Sequence, residues 1–216
     1  MDIINEKNTT VVICCAGMGT RLGIGTTKAL VDICGVPLIL RQLEMLKDYD
    51  DIRIVVGYMA EKVIETVLEY RKDIMFVFNY EYEKTGVADS LRNALVAARE
   101  YILVLDGDTI ENKEDFNSFL KYPNECIAIS DISSEEPVMA HIVDGMVTKL
   151  SKETGDYQWP GIAKIHINRI TDNSSHVYEV INKVLPIESY FIRMREIDTP
   201  EDYENAIIWY KDGCMK

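Results

Sequence analysis

The first half of the chain repeats one pattern: a short β-branched run, then a longer segment whose apolar residues recur every three or four positions. Thr10 to Cys15 (TVVICC) reads as a strand buried on both faces. A glycine-rich stretch follows, and Pro37 to Lys47 then has helical spacing, with the proline in its first turn. Asp51 to Gly57 predicts the next strand, and Glu61 to Tyr70 a helix with Val63, Ile64, Val67 and Leu68 on one face. Ile74 to Asn79 reads as a strand, Ala88 to Arg99 as a helix, and Tyr101 to Leu105 as a strand running into Asp106-Gly107-Asp108. Strands separated so regularly by helices predict right-handed βαβ units and a parallel sheet covered on both faces. Ligands of such sheets gather at the carboxyl ends of the strands. The glycine-rich stretch and the Asp106-Gly107-Asp108 turn both fall there.

Beyond residue 137 the pattern shortens. Val138 to Val143 and Met146 to Leu150 predict a hairpin around Asp144-Gly145. Ile162 to Ile167 and Ser189 to Met194 are strand candidates, and Thr199 to Lys211 reads as a closing helix with Thr199 as N-cap and Pro200 at N1. With no repeat, linker or low-complexity tract, 216 residues at 47% hydrophobic are expected to form one domain, 1–216.

Charge and cysteine content narrow the partners. A net charge of −13 leaves no basic face for a phosphate backbone, so nucleic acid is not an expected partner. A nucleotide remains compatible if a few cations and a metal ion concentrate in one site. The five cysteines are scattered without a CxxC pair, which points to reduced thiols in a cytoplasmic protein. No apolar run reaches the length of a membrane span, so membrane insertion is not expected, and assembly as a homodimer stays open.

The candidate chemistry starts at Ala16-Gly17-Met18-Gly19-Thr20-Arg21, directly after the first strand. Glycines let the backbone turn sharply and aim several N–H groups at one anion. Arg21 adds a planar fork of donors. The loop is not a Walker loop, since no Gly-Lys-Ser/Thr closes it, and Leu22 stands where a dinucleotide fingerprint needs a third glycine or alanine. Lys28, seven residues after Arg21 and ahead of an apolar stretch, is placed to fold back over the loop and neutralise a phosphate.

At these residues the sequence resembles the nucleotidyltransferase superfamily, which includes sugar-phosphate nucleotidylyltransferases, bacterial phosphocholine cytidylyltransferases and molybdenum-cofactor nucleotidyltransferases. Its signature, A-G-x-G-T-R and then a lysine, is matched by Ala16, Gly17, Gly19, Thr20, Arg21 and Lys28. The resemblance continues through Gly35 to Leu46, Ile54 to Val63, Leu105 to Asp108 and Glu196 to Ala206, in order along nearly the whole chain. It implies a Rossmann-like three-layer α/β/α fold with a mostly parallel mixed sheet, of the nucleotide-diphospho-sugar transferase type. It also implies that residues Ala16, Gly17, Met18, Gly19 and Thr20 wrap the NTP phosphates. Arg21 and Lys28 would then stabilise charge on the α-phosphorus and the departing pyrophosphate. Asp108 and Asp198 resemble the family's ligands to Mg²⁺, with Asp106 a weaker candidate. Gly86, Asp89 and Ser90 align loosely with the segment that lies against the base, although Val87 replaces the family threonine. Lys152 resembles a lysine that contacts the acceptor's phosphate, with Ser151 in place of the usual glutamate. Gly161 resembles a strand glycine that passes the acceptor.

The compact length is closest to the bacterial phosphocholine cytidylyltransferases, and CTP is the first choice of nucleotide. Tyr80, Tyr157 and Trp159, with carboxylates nearby in sequence, would suit a cationic acceptor head group. The expected reaction transfers NMP from an NTP to a small phosphorylated acceptor, a phospho-alcohol or phosphonate, with release of pyrophosphate. The alternatives are a sugar 1-phosphate as acceptor and, from other classes, a glycosyltransferase using Asp106-Gly107-Asp108 as its metal motif, or a non-catalytic nucleotide-binding domain.

Overall fold

The computed structural model describes residues 3–82, 87–170 and 176–214, without the side chains of 87–90 and of 214. The first half runs β1 (Thr9–Cys15), a single 3-10 turn (Lys28–Leu30), the small hairpin β2 (Asp32–Ile33) and β3 (Val36–Pro37), and α1 (Leu38–Met45). It continues through β4 (Ile52–Val56), α2 (Ala60–Tyr70), β5 (Ile74–Phe78), α3 (Val87–Ala94) and β6 (Tyr101–Asp106). Then follow β7 (Thr109–Glu111), α4 (Lys113–Leu120), β8 (Cys126–Ile129), β9 (Val138–Val143), β10 (Met146–Ser151), β11 (Tyr157–Trp159) and β12 (Ala163–His166). The chain closes with α5 (Val177–Asn182), β13 (Ile187–Phe191), β14 (Met194–Glu196) and α6 (Pro200–Cys214).

Ten strands form one sheet in the order β11-β9-β10-β13-β8-β12-β6-β1-β4-β5. The run β6-β1-β4-β5 is parallel, as βαβ units require. Beyond β6 the sheet becomes mixed, because β12 runs antiparallel to both β6 and β8 while β13 lies parallel to β8. The strand period of two divides the core cleanly. Val11, Ile13 and Cys15 of β1 meet Ile39 and Leu43 of α1, Val63 and Val67 of α2, and Phe116 and Phe119 of α4 on one face. Val12 of β1 meets Leu91 and Ala94 of α3 and Val180 and Ile181 of α5 on the other. The architecture is therefore the expected three-layer α/β/α sandwich.

Several elements differ from the sequence pattern. The helix expected to reach Arg99 stops at Ala94: Ala97 has φ +54, and buried Arg53 of β4 donates to the carbonyls of Ala94, Val96 and Ala97 at 2.8, 2.6 and 3.1 Å. The strand expected over Ser189 to Met194 is two strands, β13 and β14, which belong to different sheets. The hairpin turn at Asp144-Gly145 has positive φ at both residues, 51° and 78°, as a two-residue primed turn demands.

Candidate active site

After β1 the chain loops through residues 16–27 without regular structure and returns at Lys28. Gly19 has φ +58, and a Cβ there would stand 2.9 Å from Lys28 Cγ. Only glycine lets the lysine stem lie across the loop. Lys28 Nζ is 2.7 Å from Asp108 Oδ2 and also contacts Asp198 Oδ1. Arg21 donates through Nη2 to Asp198 Oδ2 at 3.1 Å and through Nη1 to Glu136 Oε2 at 3.2 Å. Four residues spread over 178 positions thus meet at the carboxyl ends of β1 and β6.

The two aspartates are brought together by an element the sequence pattern did not predict. Here β7 and β14 form a two-stranded ladder separate from the main sheet, with Thr109 opposite Glu196, and Ile197 N–H donates to Asp108 O at 2.9 Å. Asp198 is held from the other side by the start of α6, where Asp202 Oδ2 accepts from the N–H groups of Asp198 and Thr199 and Thr199 Oγ1 accepts from Asp202 N–H. Behind Asp108, buried Gln42 of α1 donates to Asp106 O at 2.9 Å and fixes the turn.

The ladder also delivers a third carboxylate. Glu196, the last residue of β14 and two before Asp198, has an oxygen within 4.8 Å of one from each of Asp108 and Asp198. Burial opposes charge on Lys28, but Asp108 and Asp198 together outweigh it and hold the ammonium protonated. Burial likewise pushes Asp198 upward, yet Lys28 and Arg21 keep it below the ordinary carboxylate range. Glu196 is pushed up to about 9, first by burial and then by Asp108 and Asp198. Three carboxylates in this spacing are a donor set for a hard divalent cation such as Mg²⁺, which takes oxygen ligands and keeps several waters.

Between the glycine loop and the Asp106-Gly107-Asp108 turn lies a cavity of about 320 Å³, lined by Gly17, Gly19, Thr20, Arg21, Thr27, Lys28, Asp106 and Asp108 with Cys14 and Cys15. Burial, joined by Asp106 and Asp108, raises both thiols, so neither is a ready nucleophile. Gly161 has φ +75 with the Asp106 carboxylate against its Cα, where any Cβ would collide. Its neighbour at the site is thus Asp106.

The remaining sequence candidates are dispersed. Lys152 does not line this cavity, and its ammonium lies 5.7 Å from the Tyr178 ring. Trp159 is buried in the core, with its indole N–H donating to Ile162 O at 3.2 Å. Tyr157 packs edge-on against Phe191, and exposed Tyr80 stacks on Phe78. Gly86 and the side chains of Asp89 and Ser90 lie outside the described residues. Glu196, Glu136 and Gln42 carried no sequence assignment; Glu196 ends β14 two residues before Asp198, and the other two gave no local signal.

Fold and site together define an α/β protein of the nucleotide-diphospho-sugar transferase fold, with a cationic loop facing an acidic cluster. The chain belongs to the MobA-like NTP transferase domain family, whose model matches residues 11–164. Among curated proteins it is similar to the bifunctional protein GlmU of Sulfurimonas denitrificans, at 23% identity over 203 residues. That match covers 93% of this chain and 45% of the relative, so the chain spans under half of that protein's length. Among solved structures, the inositol-1-phosphate CTP transferase from T. maritima shares the fold with a TM-score of 0.76 at 18% identity, covering 95% of this chain and 97% of that one. The CTP:phosphocholine cytidylyltransferase from Streptococcus pneumoniae gives a TM-score of 0.74 at 22% identity, covering 94% and 99%. No helix among the described residues is long and apolar enough to cross a membrane.

Proposed function

We propose that residues 1–216 act as one Mg²⁺-dependent nucleotidyltransferase domain. It moves NMP, CMP by first choice, from an NTP to a small phosphorylated acceptor. The observation that carries the reading is Lys28, seated between Asp108 and Asp198 beside the glycine loop and Arg21. An oxygen of the acceptor's phosphate attacks the α-phosphorus, and the bond from that phosphorus to the pyrophosphate oxygen breaks. The products are a diphosphate-linked NMP conjugate and pyrophosphate. The attacking oxygen is already anionic, so no general base is needed, in keeping with a cavity lined by no histidine. The loop amides of residues 16–20 orient the phosphates, while Arg21 and Lys28 present fixed positive charge where negative charge builds up. Bound to Asp108, Asp198 and Glu196, Mg²⁺ would add Lewis-acid polarisation of the phosphates.

A phospho-alcohol acceptor and CTP draw support from the two solved relatives, named for inositol 1-phosphate and phosphocholine as acceptors and CTP as donor. The test is a pyrophosphate-release screen crossing four NTPs with phosphocholine, phosphoethanolamine, inositol 1-phosphate, aminoethylphosphonate and common sugar 1-phosphates, with and without Mg²⁺. Release that needs both an acceptor and Mg²⁺ is expected, greatest with CTP and a phospho-alcohol. Strongest release with a sugar 1-phosphate would move the acceptor to the alternative class. No pyrophosphate release in any of these arms, with consumption of a sugar nucleotide supplied in a separate arm, would mark a glycosyltransferase and refute the reading.

A further inference from the structure

Gln158 sits in the middle of β11, fully buried, and its backbone exchanges hydrogen bonds with Ser130 at 3.0 Å in both directions. Its side chain leaves the strand toward the carboxylate cluster. Oε1 accepts from Ser133 N–H at 2.8 Å and Ser134 N–H at 3.3 Å, and Nε2 donates to Glu196 Oε2 at 2.6 Å. The amide has one workable orientation. Turned over, its oxygen would face the carboxylate and its N–H groups would face two backbone donors, losing every bond. A buried amide satisfied in this way is a rigid pointer.

We infer that Gln158 is a positioning residue for the metal centre, holding Glu196 in register with Asp108 and Asp198. This rests on the reading of those three carboxylates as a cation site. The residue type follows from the electrostatics. Glu196 brings an oxygen within 4.8 Å of one on each aspartate, and a side chain that must meet both needs an anchor to keep its direction. A lysine or arginine in that place would neutralise Glu196 and compete with the cation, as Lys28 already does at Asp108 and Asp198. A neutral amide supplies direction without charge. Gln158 also ties the site to the segment after β8: Ser133 and Ser134, which it holds, precede Glu136, and Glu136 pairs with Arg21. One side chain thereby registers the third carboxylate against the loop that faces the nucleotide-side arginine.

The test measures cation binding rather than turnover. Mn²⁺ is titrated against the full chain in the presence of inorganic pyrophosphate, with free Mn²⁺ read by electron paramagnetic resonance. Gln158→Met is expected to weaken Mn²⁺ about 10–100-fold, the usual effect of losing a partner that orients a ligand. Glu196→Gln is expected to weaken it comparably, and adding Gln158→Met on that background should change nothing more, since the two act in series. Gln158→Asn keeps an amide but withdraws it by one methylene; it should show the same loss, and it decides the matter if Gln158→Met does not fold. Unchanged Mn²⁺ affinity in the Gln158 variants, or losses that multiply in the double variant, would overturn this role alone. Failure of the unsubstituted protein to bind Mn²⁺ would overturn the cation site with it. A blank pyrophosphate-release screen would instead sink the proposed reaction and leave a positive Mn²⁺ result standing.

Discussion

Lys28 does two opposed things: its ammonium neutralises Asp108 and Asp198, and it occupies the space a cation would share with them. Lys28→Ala should therefore lower kcat/KM by about 10²–10³-fold, in the range for loss of one charge-stabilising donor. The same change leaves the carboxylates facing each other, so Mg²⁺ should raise the melting temperature of the variant more than that of the unsubstituted protein. An equal shift in both would contradict the competition. Glu111 gives a second residue-scale prediction. Burial pushes its carboxyl up to about 7, although Thr109 Oγ1 donates to it at 2.6 Å. Its Oε2 lies buried with no hydrogen-bond partner, and the same holds for the Oε1 of Gln42. A carboxyl that keeps its proton in the fold, but loses it near 4.5 when unfolded, stabilises fully below pH 4.5. That contribution fades as pH rises through 7. Glu111→Gln should thus gain stability relative to the unsubstituted protein between pH 5 and pH 8, by an amount on the order of 3 kcal/mol. Urea melts that shift in parallel across that range would show Glu111 ionised throughout.

At the scale of elements, the strand and helix periods in the first half were legible because each parallel strand is buried on both faces and each helix on one. Helix ends were less so. Arg53 ends α3, and buried Lys164 of β12 does the same for α4, donating to Phe119 O at 3.1 Å, Leu120 O at 3.4 Å and also to Tyr122 O. Both are cations on strands serving helices distant in sequence, and local pattern cannot show that. Burial lowers the Lys164 ammonium from its ordinary value. Lys164→Met should leave these carbonyls unserved and cost about 1–3 kcal/mol in urea denaturation, while leaving metal affinity unchanged. A neutral substitution would mean that water reaches the end of α4. Elements β7, β8 and α5 escaped the sequence pattern for a simpler reason: they are three to six residues long, too short for a period to declare itself.

Across the whole molecule, the site is a meeting of the chain's two ends. Arg21 and Lys28 follow the first strand, whereas Asp198 lies after residue 164, where the family match ends, on the approach to the last helix. The motif order in the sequence made this convergence legible, but the ladder of β7 with β14 that produces it was not, because its strands are three residues each. Of the residues singled out as acceptor candidates, Trp159 lies in the core and Tyr157 and Tyr80 pack on other rings, and the buried amide of Gln158 gave no sequence signal. One measurement reaches the central claim directly. Crystals grown with Mn²⁺ and a non-hydrolysable α,β-methylene NTP should show an anomalous peak coordinated by Asp108 and Asp198, with the triphosphate along residues 16–21 and Lys28 turned from the aspartates to the phosphates. A nucleotide bound elsewhere, or a metal peak remote from Asp108 and Asp198, would contradict the account.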